Sequence, residues 1–157
     1  MNNDWLFKDE NGICGFRAAG VLIRDEKILL QRDKDGNEYS VPGGHVQRNE
    51  TSQQSLIREY KEETGADIIC KRLIWIEEVF WKWGNRNAHT IVFYYLIELV
   101  NDADISSDYF EPQKDNCNVV LEWVPVQDLK KLTVYPEFLA EKAGDISDSI
   151  EHFVCVE

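Results

Sequence analysis

The sequence predicts a single domain that combines β-strands with a few helices. Several segments alternate apolar and polar residues as strands do, and residues 52–64 are bounded by the start and stop signals of a helix. A chain of 157 residues with 43% hydrophobic residues is also long and apolar enough for one core. No repeat or linker is visible, so residues 1–157 are expected to form one domain, with residues 1–15 as an N-terminal arm.

The expected strands are short apolar or alternating segments bounded by turn residues, and they cover residues 16–24, 27–31, 67–83, 88–100 and 119–124. Two short helices are expected near the C-terminus, over residues 125–132 and 136–143, the second with proline in its first turn. Residues 32–40 and 101–118 are expected to be charged loops. The tail carries the apolar pair Phe153 and Val154.

The helix over residues 52–64 has the clearest boundaries. Thr51 is a predicted N-cap, and Gln54, three residues later, can complete a capping box. Gly65 supplies the left-handed residue with which many helices end. At about 100° per residue, Leu56, Ile57 and Tyr60 form an apolar arc that should face the core.

The acids of this helix, Glu59, Glu62 and Glu63, form one stripe that begins at the edge of the apolar arc. A solvated acidic face is one interpretation. However, Glu59 and Glu63 are like charges at i and i+4, which destabilise a helix. Arg58 can offset only part of this charge, through Glu62 at i+4. A hard divalent cation such as Mg²⁺ takes carboxylate oxygens directly, so the repulsion favours a metal site over a solvated face.

The residues of this region match a known pattern, G-x5-E-x7-R-E-U-x-E-E-x-G-U, where U is a bulky aliphatic residue. The fixed positions hold Gly44, Glu50, Arg58, Glu59, Glu62, Glu63 and Gly65. With this complete box over residues 44–66, the chain resembles the Nudix hydrolases. The U positions depart from the pattern with Tyr60 and Ala66, and Gln47 stands where many members have Glu.

The resemblance implies an α/β/α sandwich on a mixed β-sheet. It also implies hydrolysis of a diphosphate linkage in a nucleoside diphosphate derivative, with Mg²⁺ as the cofactor and Mn²⁺ as a possible substitute. Glu59 and Glu63 would be the main metal ligands, Glu62 a further ligand or the group that orients the attacking water, and Gly43 would offer its backbone carbonyl. Arg58 would hold the acids through charge-assisted bonds.

Candidate residues outside the box are less distinctive. Arg17, on the first strand, could meet a phosphate, and Trp81 and Trp83, beside a turn, could stack on a base; surface and core roles are the alternatives. Many members of the family take a general base from a distant loop, for which Glu111 and Asp115 are the candidates here, with solvated loop charges as the alternative.

Composition limits the partners. The 29 acidic residues exceed the 17 basic ones and give a net charge of −12, which disfavours long nucleic acid but leaves a small nucleotide substrate open.

The longest apolar run, residues 91–100, is about half of the ~20 residues a membrane-spanning helix needs. The cysteines are dispersed and the N-terminus lacks a signal-peptide pattern, so a cytoplasmic protein is expected. Aromatic strands over residues 75–95 suggest a homodimer.

Two hypotheses for the function remain at this point. The first is a hydrolase of nucleoside diphosphate derivatives, whether nucleoside triphosphates, ADP-ribose-like sugars or dinucleoside polyphosphates. The second is a non-catalytic, nucleotide-sensing binding module on the same fold. The complete set of box acids favours the hydrolase, because a module that only binds has little need of all of them.

Overall fold

The computed structural model describes residues 3–106, 108–110 and 118–157. Its strands are β1 (Leu6–Lys8), β2 (Gly12–Arg24), β3 (Lys27–Asp33), β4 (Glu38–Ser40), β5 (Gly43–His45), β6 (Ile68–Trp83), β7 (Arg86–Leu99), β8 (Tyr109–Phe110), β9 (Val119–Pro125), β10 (Thr133–Tyr135) and β11 (Glu151–Val156). Its α-helices are α1 (Ser52–Thr64) and α2 (Leu139–Lys142), and 3₁₀ turns cover Asp102–Ile105 and Val126–Lys131. No helix in these ranges combines the length and apolar character that crossing a bilayer requires.

The strand β2 organises the sheet. It lies parallel to β7 and antiparallel to β1 and β5, and its end at Ile23 and Arg24 pairs with β3. The sheet continues from β7 through β6 to β11 on one side, and from β3 to β4 and β10, and to β9 and β8, on the other. Parallel pairs such as β6 with β11 occur beside antiparallel ones, so the predicted mixed sheet is confirmed.

Helices cover both faces of the sheet, which confirms the predicted α/β/α arrangement. Under α1, one core cluster joins the helix to β2 and β7, with Leu22, Leu56, Tyr60, Tyr95 and Ile97 among its members. On the opposite face, a second cluster joins α2 and the second 3₁₀ turn to the sheet, with Val21, Trp75, Tyr94, Leu129 and Leu139 among its members. Even-numbered residues of β2 therefore face α1, and odd-numbered ones face away from it.

Several boundaries differ from the sequence prediction. The first long strand begins at Gly12 rather than at residue 16, and β1 pairs with it, so much of the expected arm belongs to the sheet. The helix expected over residues 136–143 is limited to Leu139–Lys142. The tail forms a complete strand, β11, in register with β6 from Glu151 opposite Trp75 onward. Partners so distant along the chain leave no local pattern, which is why β11 was not predicted.

Candidate active site

The acidic helix α1 begins and ends where the sequence predicted. Thr51 Oγ1 accepts a hydrogen bond from the Gln54 amide at 3.1 Å, and Gln54 Oε1 accepts one from the Thr51 amide at 2.8 Å, which completes the capping box. Gly65 follows the helix at φ 76°, and its amide donates to the Lys61 carbonyl at 2.9 Å. Local contacts thus fix both ends of the helix and, with them, the positions of its acids.

The buried face of α1 differs from the predicted apolar arc. Leu56 and Tyr60 are buried as expected, but Ile57 is 40% exposed, so the prediction for Ile57 was wrong. Glu59 is buried instead, with only 9% exposure. Gly44 accounts for the buried acid, because it leaves room for the Glu59 carboxylate against β5. Ile57 lies two residues before Glu59, about 200° around the helix, so it points to a different side.

The Gly43-Gly44 pair gives the Glu59 carboxylate its place. Both glycines lie in β5, which pairs antiparallel with β2. A Cβ on Gly44 would lie 2.5 Å from Cδ and 2.7 Å from Oε1 of Glu59, well inside the ~3.5–4 Å of an ordinary contact. A Cβ on Gly43 would overlap the Ala18 carbonyl. Only glycine at these positions lets β5 lie against β2 and lets Glu59 lie against β5.

Arg58 connects three acids of the box. Its Nη2 and Nε donate to the two carboxylate oxygens of Glu50 at 2.8 and 3.2 Å. Its Nη1 donates to Glu59 Oε1 at 2.8 Å and to Glu62 Oε2 at 3.4 Å. These contacts extend beyond the i, i+4 pair with Glu62 that the helical wheel suggested, because the guanidinium reaches across the helix to the residues before it.

Glu50 is held by donors on two sides. Besides Arg58, the Gln47 amide donates to Glu50 Oε1 at 2.8 Å. These hydrogen bonds, chiefly those from Arg58, hold the pKa of Glu50 below its ordinary value, although burial acts in the opposite direction. The same pairing raises the pKa of Arg58. Glu50 therefore supports the loop before α1 and fixes the guanidinium that contacts Glu59.

The acids of α1 have the chemistry of a site for a hard divalent cation. The carboxylates of Glu59, Glu62 and Glu63 and the backbone carbonyl of Gly43 are all oxygen donors, which Mg²⁺ prefers. In the part of the chain that the structure describes, no three His, Cys, Asp or Glu side chains are arranged so that they could hold a metal ion. Glu59 and Glu62 bind Arg58 instead. The donor types fit the cation, and binding it would require these carboxylates to turn from Arg58 toward the metal.

His45 lies beside this cluster and was not singled out from the sequence. Its backbone carbonyl accepts hydrogen bonds from Ser55 Oγ at 3.2 Å and from Arg58 Nη2 at 3.4 Å. Its imidazole is half-buried, and burial together with the charge of Arg17 lowers the pKa of the ring. The sequence offered one signal for His45, its place directly after the glycine pair. In the structure, the pairing of β5 with β2 brings His45 opposite Arg17.

A cleft of about 650 Å³ opens on the face of β2, β7 and β6 that α1 does not cover. Arg17 and Trp81, two of the predicted substrate-binding residues, line it. Trp83 does not line it. That ring stacks on Trp81 with 6.1 Å between the centroids, carries Lys8 above it, and is 51% exposed. Glu77 and Tyr94 also line the cleft and were missed, although an acid within the alternation of β6 was a visible signal.

The predicted candidates for a general base, Glu111 and Asp115, lie outside the described residues.

Comparison with known proteins assigns this chain to a family. The model of the NUDIX domain matches residues 16–142. The chain is 29% identical over 116 residues to the uncharacterized Nudix hydrolase YvcI of Bacillus subtilis, covering 74% of this chain and 69% of that protein. It is 27% identical over 144 residues to the putative mutator protein MutT4 of Mycobacterium tuberculosis, covering 90% of this chain but only 54% of that protein.

A solved structure supports the fold. An ADP-ribose pyrophosphatase from Streptococcus suis superposes with a TM-score of 0.59 over 89% of this chain and 98% of that one, at 20% sequence identity. The family match covers the whole box and most of the sheet, and the names of the relatives agree with the enzyme class expected from the box, a pyrophosphohydrolase. The chain therefore belongs to the Nudix hydrolase family.

Proposed function

We propose that the protein is a Mg²⁺-dependent hydrolase of a diphosphate linkage in a nucleoside diphosphate derivative. The observation that carries this proposal is the buried Glu59 carboxylate, which lies against Gly44 and is joined through Arg58 to Glu50 and Glu62. A helix that served only to cover the sheet would have an apolar residue at position 59 rather than an acid. Cleavage of a diphosphate by water needs charge neutralisation at the phosphoryl oxygens, and such a group of acids can hold the cation that supplies it.

The metal would be held by Glu59, Glu63, Glu62 and the Gly43 carbonyl, and when bound it neutralises phosphoryl charge and lowers the pKa of a water molecule. Mn²⁺ has the same preference for oxygen ligands and can substitute.

The chain's own side chains have distinct roles in this proposal. Arg58 holds Glu59 and Glu50 in fixed orientations. Glu62, which is partly exposed beside them, orients the attacking water. Arg17 in the cleft binds a phosphate oxygen, and Trp81 lies where the nucleoside would stack. Trp83 acts on the substrate only through its stacking on Trp81.

The substrate class stays broad. One relative is named as a mutator protein and one structural neighbour as an ADP-ribose pyrophosphatase. Both nucleoside triphosphates and nucleotide sugars therefore remain candidates. The net charge of −12 disfavours long nucleic acid as the substrate.

A product-release assay on a panel of nucleotides tests the proposal. The panel holds the four ribonucleoside triphosphates, ADP-ribose and a dinucleoside polyphosphate, each with Mg²⁺ and with excess chelator. We expect metal-dependent turnover of at least one member, abolished in Glu62→Gln. The alternative, a nucleotide-sensing binding module, predicts binding in calorimetry without turnover above the protein-free rate.

A homodimer is part of the proposal. The outer ends of β6, β7 and β11 expose a row of apolar side chains on one face beyond α1, namely Phe80, Ile91, Val154 and Val156. Apolar patches of this kind often mark contacts between proteins. Light scattering at assay concentration should give twice the mass of one chain, and a monomer mass would contradict this part.

The cytoplasm is the proposed compartment. Cys14, Cys70 and Cys155 are free thiols in the structure, as a reducing compartment would leave them. Fractionation of cells that express the tagged protein should recover it with cytoplasmic markers, and recovery outside the cytoplasm would contradict this assignment.

A further inference from the structure

The cleft contains a buried acid that the box does not use. Glu77, on β6, lines the cleft and is only 3% exposed. The Tyr94 hydroxyl donates to Glu77 Oε1 at 2.8 Å, and the Cys155 thiol donates to the same carboxyl. Burial raises the pKa of Glu77, and the hydrogen bonds from Tyr94 and Cys155 act in the opposite direction. When ionised, the carboxylate only accepts hydrogen bonds and has lone pairs left for further donors. A ligand in the cleft would meet an acceptor at this point.

Arg17 stands on the other side of the cleft floor. Arg17 pairs with Val92 on β7, and Val92 pairs with Glu77 on β6. Two strand spacings of about 4.8 Å place roughly 10 Å between the backbones of Arg17 and Glu77. Arg17 also lies opposite His45, and His45 is on β5, the strand that carries the glycine pair. The phosphate end of a bound nucleotide thus belongs at Arg17, and Glu77 lies about the length of one nucleoside further along.

The surface beside this row suits a flat ring. Val92 lies between Arg17 and Glu77, and Val79 and Trp81 follow Glu77 along β6 and line the same cleft. The Trp81 indole donates to Thr90 Oγ1 at 3.3 Å, which fixes the edge of that ring system. Aromatic side chains bind nucleobases by stacking.

The end of the cleft at Glu77 is also unsuited to phosphate. Glu157 lines the same cleft, and its pKa is raised by burial and by the nearby charge of Glu77. A second phosphate would meet two acids here. The ligand end at Glu77 is therefore a neutral group rich in N–H donors.

We propose that Glu77, oriented by Tyr94, reads the nucleobase and selects a guanine-type base. The inference rests on the proposed function, because it places the phosphates of the same substrate at Arg17. The Watson–Crick edge of guanine presents two adjacent donors, N1–H and the 2-amino group, and an ionised carboxylate can accept both. Adenine presents one donor beside an acceptor, and cytosine and uracil also place acceptors on that edge. An acceptor facing a buried carboxylate loses its hydrogen bond to water without gaining another.

The kinetic test compares GTP with ATP, by kcat/KM, for the parent and for Glu77→Gln. The parent should prefer guanine at least 10-fold. Glutamine keeps the shape of the side chain but offers one donor beside one acceptor, the pattern that suits adenine. We expect kcat/KM for GTP to fall about 10- to 100-fold, the scale of one two-point base contact, while the value for ATP stays within about 3-fold or rises.

A matched control comes from the same strand. Glu78→Gln removes a carboxylate from the opposite face of β6, where it contacts His152 at 2.8 Å, and should leave the GTP/ATP ratio unchanged. Glu77→Asp withdraws the carboxylate by one methylene without changing its charge and should also reduce the preference. If circular dichroism shows that Glu77→Gln is unfolded, Glu77→Asp is the variant that tests the role of Glu77. If neither variant folds, the GTP/ATP ratio of kcat/KM for the parent is the test.

Binding measurements separate this inference from the proposed function. Calorimetric titration of the protein with GMP and AMP needs no turnover and should show tighter binding of GMP, lost in Glu77→Gln. Turnover with equal GTP and ATP rates, or with a ratio that Glu77→Gln leaves unaltered, would overturn the assignment of Glu77 and leave the hydrolase intact. Absence of all turnover with GMP binding that depends on Glu77 would overturn the hydrolase and support the base-reading role.

Discussion

Arg58 and Glu50 form a two-point ion pair across the turn that leads into α1, with Nη2 to Oε1 at 2.8 Å and Nε to Oε2 at 3.2 Å. The same guanidinium turns its remaining nitrogen to the buried Glu59. The planar fork of arginine fits this arrangement, whereas the single ammonium of lysine cannot bind both partners. The pair therefore fixes the position of an acid that lies between the helix and the glycine strand.

Arg58→Met should lower the free energy of unfolding by about 2 kcal/mol. Removing one partner of a fully buried pair costs about 3–5 kcal/mol, and the partial exposure of Arg58 and Glu50 reduces this cost. Urea titration measures it. Lys61→Met is the matched control on the same helix, since Lys61 is exposed and pairs only across the surface with Asp67, and should stay within about 0.5 kcal/mol of the parent. Equal effects of the two changes would show that the pair with Glu50 adds no stability.

Gly44→Ala should impair both folding and activity. The new Cβ would lie 2.5 Å from Glu59 Cδ, so the carboxylate must leave its place against β5. We expect a loss of about 1–3 kcal/mol in stability, the usual cost of overpacking, and a fall in kcat larger than any change in KM. Thermal melts and steady-state rates measure these quantities.

Gly144→Ala is the control for this substitution, because its Cβ would meet only Val126 Cγ1 at an ordinary 3.8 Å. A Gly44→Ala enzyme with the rate of the parent would mean that the close approach of Gly44 and Glu59 has no part in the reaction.

The features of the site that could be predicted are the ones encoded locally. Thr51, Gln54 and Gly65 fixed the ends of α1 because each acts on backbone groups within one turn. The spacing of the acids followed from those ends. The face that α1 buries could not be derived in this way, since a helical wheel ranks residues by polarity. Glu59 is buried because Gly44, which lies on a separate strand, leaves room for its carboxylate.

The cleft was the least predictable part. Arg17, Val92 and Glu77 form one row only because β2 lies parallel to β7 and β7 lies antiparallel to β6. The short strands β4, β5 and β10 likewise depend on partners elsewhere in the chain, and three residues carry too little alternation to reveal a strand. Pairings of this kind are a property of the folded sheet, so the sequence could nominate Arg17 and Trp81 but could not place Glu77 in one row with Arg17.

Glu77→Gln should become more stable relative to the parent as the pH rises. Burial raises the pKa of Glu77 above its ordinary 4.5, so the folded protein holds this proton to a higher pH than the unfolded chain does. The stability associated with that proton is fully present below pH 4.5 and is lost as the pH rises through the folded pKa. The difference in melting temperature between variant and parent should therefore be more positive at pH 8 than at pH 5.

The comparison with the parent cancels the titration of groups that do not interact with Glu77. Glu157 is repelled by the Glu77 charge, and losing this repulsion in Glu77→Gln changes the difference in the same direction as the pH rises. Glu78→Gln, on the exposed face of the same strand, serves as the reference substitution. A difference that does not change with pH, or that falls as the pH rises, would contradict the assignment of a raised pKa to Glu77.

Glu63→Gln and Glu59→Gln should both lower kcat by at least about two orders of magnitude, the scale of removing a key electrostatic group. Their metal-free stabilities should differ. Glu63 is half-buried one turn from the like charge of Glu59, so Glu63→Gln should be as stable as the parent or slightly more stable. Glu59→Gln weakens a charge-assisted bond from Arg58 and should lose about 1–2 kcal/mol.

A rate assay measures kcat, and thermal melts with and without Mg²⁺ measure the metal-free stability and the stabilisation that Mg²⁺ adds. The parent should gain more from Mg²⁺ than either variant, because a ligand that binds the native state more tightly stabilises it more. Glu98→Gln, an exposed acid on β7 that pairs weakly with Lys71, should keep both the rate and the Mg²⁺ shift of the parent. Since the box acids would provide the metal ligands, a Glu63→Gln variant with the rate and the Mg²⁺ shift of the parent would remove this face of α1 as the metal site.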